Sequence, residues 1–501
     1  MTDGRPPRAR PTATLRNRPR PSPTLGFARA GGDPHRDPRP GRDPALRTSV
    51  ALTAVALCAA TALPAQAAAD ARPQSRLEGQ LPSGASYLMD VPADWNGTVL
   101  LYSHGYRAVG WPNPAENAPD SATRDKLLDQ GYALIGSSYA STGWAVTDAV
   151  PDQLATLDLF TERFGAARRT LAWGTSYGGL VTTVLAERHA DRFDGSLSMC
   201  GLVQGGVANW NSTLDPVFAL RTLLGTDVPL TGFADQAEAQ SAARTLADDV
   251  TAAQRTPEGR ARIALAAALH NIPGHNDPAQ NKPAPTDWAA QQANQYPAVL
   301  GLVQLPAFGW RQEAESRAGG NPSWNTGVDY TAMLHRSPLY KEVTELYKEA
   351  GASLRADLKA LNRAPRISAD PAAVRWMRAT GVFNGRLTKP QLNIHTTGDA
   401  LIPVQAESAY RRAAGAAGSG ALLRQAYVDA PGHCTFGPGE MTGALHALED
   451  RLDTGRWNTS PAALNSRAEQ ADPGGEARYV PYRPTSYPRP HDLAHPGDAR
   501  P

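Results

Sequence analysis

A short apolar strand, a Gly-x-Ser-x-Gly turn and a helix follow one another directly at Thr170-Leu171-Ala172-Trp173-Gly174-Thr175-Ser176-Tyr177-Gly178-Gly179, with Leu180-Val181-Thr182-Thr183-Val184-Leu185 behind. This pattern constrains the fold tightly. The serine sits on a sharp strand-to-helix turn, and small residues two positions to either side let neighbouring backbone pass close. The helix start then aims free N–H groups, and the positive end of its dipole, at negative charge developing beside the serine. Taken alone, the stretch is also compatible with an ordinary βα turn, so the rest of the chain must decide.

Three further segments stand where such a turn requires them. Gly97-Thr98-Val99-Leu100-Leu101-Tyr102-Ser103-His104-Gly105-Tyr106 is an apolar run ending in His-Gly. Leu392-Asn393-Ile394-His395-Thr396-Thr397-Gly398-Asp399 is a strand ending in Gly-Asp, with Ile402-Pro403-Val404 beyond it. Ala426-Tyr427-Val428-Asp429-Ala430-Pro431-Gly432-His433 is a strand, a Pro-Gly turn and a histidine. In the order Ser…Asp…His, these motifs make the chain resemble the α/β-hydrolase superfamily over residues 80–205 and 385–456. The resemblance implies an α/β-hydrolase fold, with a mostly parallel central sheet flanked by helices. It also implies roles: Ser176 as nucleophile, His433 as its base, and Asp399 as the acid that orients the histidine. The backbone N–H groups of Tyr177 and of Tyr106 or Gly105 would form the oxyanion hole. Asp429, on the strand leading to His433, is the rival acid, and His104 is read as ordering its loop.

Alternating apolar runs and amphipathic helices place a first part of the core at 80–204 and a second at 386–456. Between them, 205–385 lacks strand alternation and shows helical stretches at Asp235–Ala253, Arg260–His270 and Tyr340–Leu361. It reads as a helical cap over the catalytic mouth. Trp210, Trp288, Trp310, Trp324 and Trp376 belong to it, some as core fillers and some as walls of an apolar pocket. Residues 457–501, rich in Pro, Arg, Asp and His, read as a solvated, disordered tail, and the Arg/Pro-rich 1–47 as a disordered leader that a start near Leu46 would omit.

The run from Ser49 to Ala67 follows Arg47 and ends in Ala65-Gln66-Ala67, which reads as a signal peptide over 48–67. A secreted protein with no stable membrane insertion after cleavage is expected. A formal charge of +2, with 20% charged residues, implies no nucleic-acid partner. No His-Glu-x-x-His, Cys-x-x-Cys or phosphate-loop pattern occurs, so neither metal nor cofactor is expected, and His270 and His275 read as part of a solvated loop.

Cleavage would remove Cys58 and leave Cys200 and Cys434, both at the C-terminal edge of the sheet. Tannase- and feruloyl-esterase-like hydrolases are similar at His433-Cys434, although this chain has Thr175 where they place a cysteine before the serine. That similarity implies a Cys200–Cys434 disulfide tethering the histidine loop; two free buried thiols is the other reading. The expected function is a secreted serine hydrolase that cleaves a small-molecule or polymeric carboxylic ester through an acyl-enzyme. The alternatives are a peptidase of the same fold, aminopeptidase-like, and a catalytically silent binding protein.

Overall fold

Alternation along Thr98–Ser103 sets the layers of the molecule. Val99 and Leu101 enter one apolar layer, Leu100 and Tyr102 the other, and all four are buried. A strand covered on both faces suits a parallel sheet. In the computed structural model, which describes residues 73–489, this strand is β3 of a nine-stranded sheet. The others are β1 (Pro73–Gln80), β2 (Ser86–Pro92), β4 (Ala133–Ser137), β5 (Arg169–Thr175), β6 (Gly195–Met199), β7 (Gln391–Gly398), β8 (Leu423–Pro431) and β9 (Tyr479–Val480). Their order is β1-β2-β4-β3-β5-β6-β7-β8-β9. From β4 to β8 in that order the strands run parallel, while β1, β2 and β9 pair antiparallel at the edges. This is the α/β-hydrolase architecture expected from the sequence, with helices on both faces.

The first helices are α1 (Ser121–Asp129), α2 (Val146–Phe164) and α3 (Tyr177–Arg188). Between β6 and β7 the chain is helical: α4 (Gly206–Leu224), α5 (Gln236–Ala253), α6 (Pro257–His270), α7 (Trp288–Gln304), α8 (Arg311–Ala318), α9 (Tyr330–Arg336), α10 (Tyr340–Glu349), α11 (Leu354–Arg363) and α12 (Pro371–Gly381). A π-helical turn, Pro306–Trp310, joins α7 to α8. The last helices are α13 (Ala406–Ala416), α14 (Pro438–Thr454) and α15 (Pro461–Ala471). Phe160, Leu180 and Tyr410 bring α2, α3 and α13 into the layer with Val99. Leu127, Leu445 and Leu464 bring α1, α14 and α15 into the layer with Leu100. The segment between β6 and β7 has a core of its own, in which Phe218, Leu246, Leu265 and Val303 are buried together. None of the described helices is long and apolar enough to cross a membrane.

Three expectations are corrected. The helix read over Tyr340–Leu361 is two helices, because Gly351 takes φ +64° and Ser353 caps α11 by accepting from the Ala356 N–H. His270 is not in a solvated loop: it ends α6, fully buried, against the Ser212 and Leu401 carbonyls. The chain after 457 is not a disordered tail as far as Arg489. Ser460 caps α15, Tyr479–Val480 adds a strand, and the Tyr487 hydroxyl bonds Ser212 Oγ at 2.6 Å. Arg489 reaches Asp215 on α4 with two bonds of 3.0 and 3.1 Å and donates to the Trp324 carbonyl. The polar composition misled because a few buried side chains, Leu464, Ala468, Tyr479 and Tyr487 together with Arg489, anchor this segment. The readings at 1–47, 48–67 and beyond 489 fall outside the described residues.

Arg489→Met should therefore destabilise the protein, since it strands a fully buried Asp215 carboxylate. Removing one partner of a buried pair costs about 3–5 kcal/mol. A thermal melt equal to wild type would contradict this role for the segment.

Candidate active site

Ser176 lies between β5 and α3 with φ +57° and ψ −123°, a conformation that strains any side-chain-bearing residue. Its neighbours leave it no alternative. β5 is clamped between β3 and β6, with Gly174 beside Ser103 and Thr175 beside Met199. The Ser176 N–H donates to the Met199 carbonyl at 2.9 Å. A Cβ on Gly174 would stand 2.6 Å from the Gly178 oxygen, and one on Gly178 would collide with the Ser103 carbonyl. The two glycines of the motif are thus needed where backbone meets backbone.

Opposite the serine, the loop after β8 presents His433. Ser176 Oγ donates to His433 Nε2 at 2.7 Å, and His433 Nδ1–H donates to Asp399 Oδ2 at 2.6 Å. Asp399 Oδ1 accepts the Leu401 and Ile402 N–H groups, each at 2.9 Å. Burial alone would raise the Asp399 carboxyl, but the charge of His433 and the hydrogen bonds from His395 and His433 hold it down at about 2. The rival Asp429 points away to solvent, toward Lys282 Nζ and Thr397 Oγ1.

His395 is a member of this cluster that the sequence reading did not include. It is fully buried, with Nε2 3.3 Å from Asp399 Oδ2 and 2.9 Å from the Ile402 carbonyl, and Nδ1 3.3 Å from Glu407 Oε1. Burial would keep the ring neutral, but hydrogen bonds to Asp399 and Glu407, and their charges, push it up to about 10. Glu407 is held in turn by Asn393 and Gln425. No strand alternation signals this pairing, because Asp399 lies just past β7 and the pairing register shifts between Thr396 and Gly398.

Beside Ser176 stand Gly105, Tyr106 and Tyr177, which with it line one cavity of about 200 Å³. A Cβ placed on Gly105 would lie 3.6 Å from Ser176 Cβ, so this backbone runs directly along the nucleophile. At the first position of α3, the Tyr177 N–H has no acceptor within the helix. His104 packs on Tyr139 at 3.9 Å and lies against the Gly105 and Ser138 carbonyls; burial, aided by Arg107, lowers it to about 4 and keeps it neutral. The cavity is walled by Trp144, Trp210, Trp310 and Leu302. Trp288 and Trp324 lie instead beneath Lys341 and Arg489, and Trp376 packs on the sheet-side core.

Cys200 and Cys434 form a disulfide with Cα atoms 5.5 Å apart. Both take positive φ, +46° and +58°. The bridge fastens the end of β6 to the residue after His433, while Thr396 and Thr435 bond the Gly432 and Pro431 carbonyls. The histidine loop is thus held from both sides.

The chain is similar to several known proteins. The profile of the Prolyl oligopeptidase family matches residues 131–244. The o-phthalyl amidase of Xanthobacter agilis is 32% identical over 433 residues, covering 80% of this chain and 93% of the relative. Feruloyl esterase B of Aspergillus oryzae matches 76% of this chain and 81% of its own, at 14% identity and a TM-score of 0.37. An acylaminoacyl peptidase of Pyrococcus horikoshii matches 75% of this chain at 9% identity and a TM-score of 0.34, and this chain spans 41% of its length.

Two outcomes are expected. His395→Gln should lower stability in a pH-dependent way. With its folded pKa raised from 6.5 to about 10, the imidazolium contributes fully below pH 6.5 and progressively less as pH rises through 10. The gap in melting temperature between wild type and variant should be widest near pH 6.5 and narrow toward pH 10; a constant gap would refute the charged pairing. Reducing the disulfide should lower both melting temperature and turnover. Its 234-residue loop corresponds to a chain-entropy contribution of up to roughly 5 kcal/mol. Undiminished turnover at a lowered melting temperature would separate the bridge from the positioning of His433.

Proposed function

The chain belongs to the family of the o-phthalyl amidase of Xanthobacter agilis and is a serine hydrolase, and we propose that it cleaves an ester or amide of a small aromatic carboxylic acid through an acyl-enzyme. The observation that carries this reading is the cavity onto which Ser176 opens. At about 200 Å³ it is below the roughly 300–1,000 Å³ of drug-sized pockets, and its walls are mainly aromatic and aliphatic. That suits one planar ring attached to the reacting carbonyl.

In the proposed mechanism Ser176 Oγ attacks the acyl carbon while His433 Nε2 takes its proton. Asp399 keeps Nδ1–H fixed and stabilises the imidazolium that forms. The N–H groups of Tyr177 and of Tyr106 or Gly105 would bind the oxyanion, each worth about 3–4 kcal/mol. His433 then passes the proton to the departing alcohol oxygen or amine nitrogen, and water admitted to the acyl-enzyme repeats the sequence. An aminopeptidase would need a carboxylate to hold the substrate's ammonium. Among the described residues no Asp or Glu lines the cavity, which favours the acyl reading.

Export belongs to the same proposal. The run over 48–67 would direct secretion, and a Cys200–Cys434 bridge suits an oxidising compartment. The segment 205–385 would act as a cap that closes the acyl pocket.

Ser176→Ala should abolish turnover without changing the fold, and a fluorophosphonate should label Ser176 alone. Asp399→Asn should cost about four orders of magnitude in turnover. Against a panel of p-nitrophenyl benzoates, benzoyl p-nitroanilides and aminoacyl p-nitroanilides, the benzoyl compounds should be preferred. A clear preference for the aminoacyl compounds would overturn the aromatic-acyl reading.

A further inference from the structure

The side chains of Tyr106 and Tyr177, whose backbone is proposed to bind the oxyanion, belong to one chain of rings. Centroid to centroid, Trp310 lies 4.6 Å from Tyr106, Tyr106 5.8 Å from Tyr177, Tyr177 5.2 Å from Trp144, and Trp144 5.2 Å from Trp210. All five line the cavity beside Ser176. Arg311, the residue after Trp310, closes the chain into a collar. Its guanidinium stands 5.3 Å from the Trp210 ring centre and donates to the Trp210 carbonyl at 2.8 Å. Its other donors go to the Ala307 carbonyl and Ser323 Oγ, and the side chain is fully buried, outside the cavity lining. Trp310 takes its place from the π-helical turn, where its N–H reaches back five residues to the Leu305 carbonyl at 3.2 Å.

The collar bears on catalysis through its backbone. Among the described residues, the N–H groups of Gly105, Tyr106 and Tyr177 have no protein acceptor. Tyr177 is locked as the first residue of α3. Tyr106 belongs to no strand or helix, and its half-buried ring is gripped between Tyr177 and Trp310. Oxyanion donors work only when aimed where the charge develops, and a displacement of about 1 Å costs about 10²-fold in rate. We propose that Trp310 is a positioning residue of the oxyanion hole. Its ring holds Tyr106, and with it the loop after β3, while Arg311 holds Trp310 by clasping the π-helical turn to α4. Trp310 acts through the Tyr106 backbone and touches none of the reacting atoms. The assignment rests on the acyl-enzyme mechanism proposed above, and not on the aromatic character of the acyl group.

The test compares wild type with Trp310→Leu, Trp310→Phe and Arg311→Lys on p-nitrophenyl acetate and p-nitrophenyl benzoate, below the melting temperature of each protein. Methylboronic acid is the second probe. Ser176 Oγ adds to boron as His433 takes the hydroxyl proton, which gives a tetrahedral anion like the oxyanion intermediate. Trp310→Leu should lower kcat on both esters by roughly 10–100-fold with KM little changed, and weaken the boronate by a similar factor. Trp310→Phe keeps a ring against Tyr106 and should recover most of the loss. Arg311→Lys keeps the charge but loses the forked contact, and should lower kcat although it removes nothing from the cavity lining. A loss confined to the benzoate, or expressed in KM alone, would make Trp310 a wall of the acyl pocket and overturn the assignment while leaving the mechanism intact. Unchanged kcat in Trp310→Leu or in Arg311→Lys would overturn it too. Full turnover in Ser176→Ala would overturn the mechanism and the assignment together.

Discussion

The rest of the site depends on one strained residue, the Ser176 backbone at φ +57°. An isolated strand–helix turn would relax from that conformation. Here it cannot, because β5 is hydrogen-bonded on both sides and α3 starts within contact of the β3 carbonyls. The strain, of order 1–3 kcal/mol, is offset by the packing of the central sheet. What it secures is direction: Oγ stands above the sheet edge, where only loops from other strand ends can reach it. The Asp399 and His433 loops, and the backbone at Gly105, all converge on that point.

Electrostatically, the acid side of the triad is a buried cluster rather than a single carboxylate. His395 stands between Asp399 and Glu407, with one ring nitrogen 3.3 Å from each. On its other side Asp399 faces His433 Nδ1 at 2.6 Å. Asp399 is fixed by three hydrogen bonds, from two backbone N–H groups and His433, with His395 Nε2 3.3 Å away as a further contact.

The cavity beside Ser176 is built from separate stretches of chain. Gly105 and Tyr106 come from the loop after β3, Asn209 and Trp210 from α4, Pro306 and Trp310 from the π-helical turn, and Leu401 and Ile402 from the loop that also carries Asp399. A π-turn shifts the register of the following helix, and such turns recur at functional sites. Arg311 then ties that turn to α4 through the Trp210 carbonyl. Arg489 and Tyr487, from the far end of the described chain, fix the other side of α4 through Asp215 and Ser212. The cavity wall is thus anchored by polar contacts behind it.

The sequence by itself determined the nucleophile turn, the strand and helix order of the core, the helical character of the long insertion, and the pool of residues from which the site is drawn. These are local matters: glycine spacing, apolar periodicity and chain order are written into neighbouring residues. It also left the two cysteines open between bridge and free thiols, and offered two acids for one histidine. Only the tertiary structure decided those, because Asp399 and Asp429 differ in which way a strand end turns, not in their local pattern. The same holds for His395, whose partner Glu407 lies on another element. The C-terminal segment was misread for a related reason. Its composition describes a solvated chain, whereas its place is fixed by a few long-range contacts such as Arg489 with Asp215, which no local pattern records.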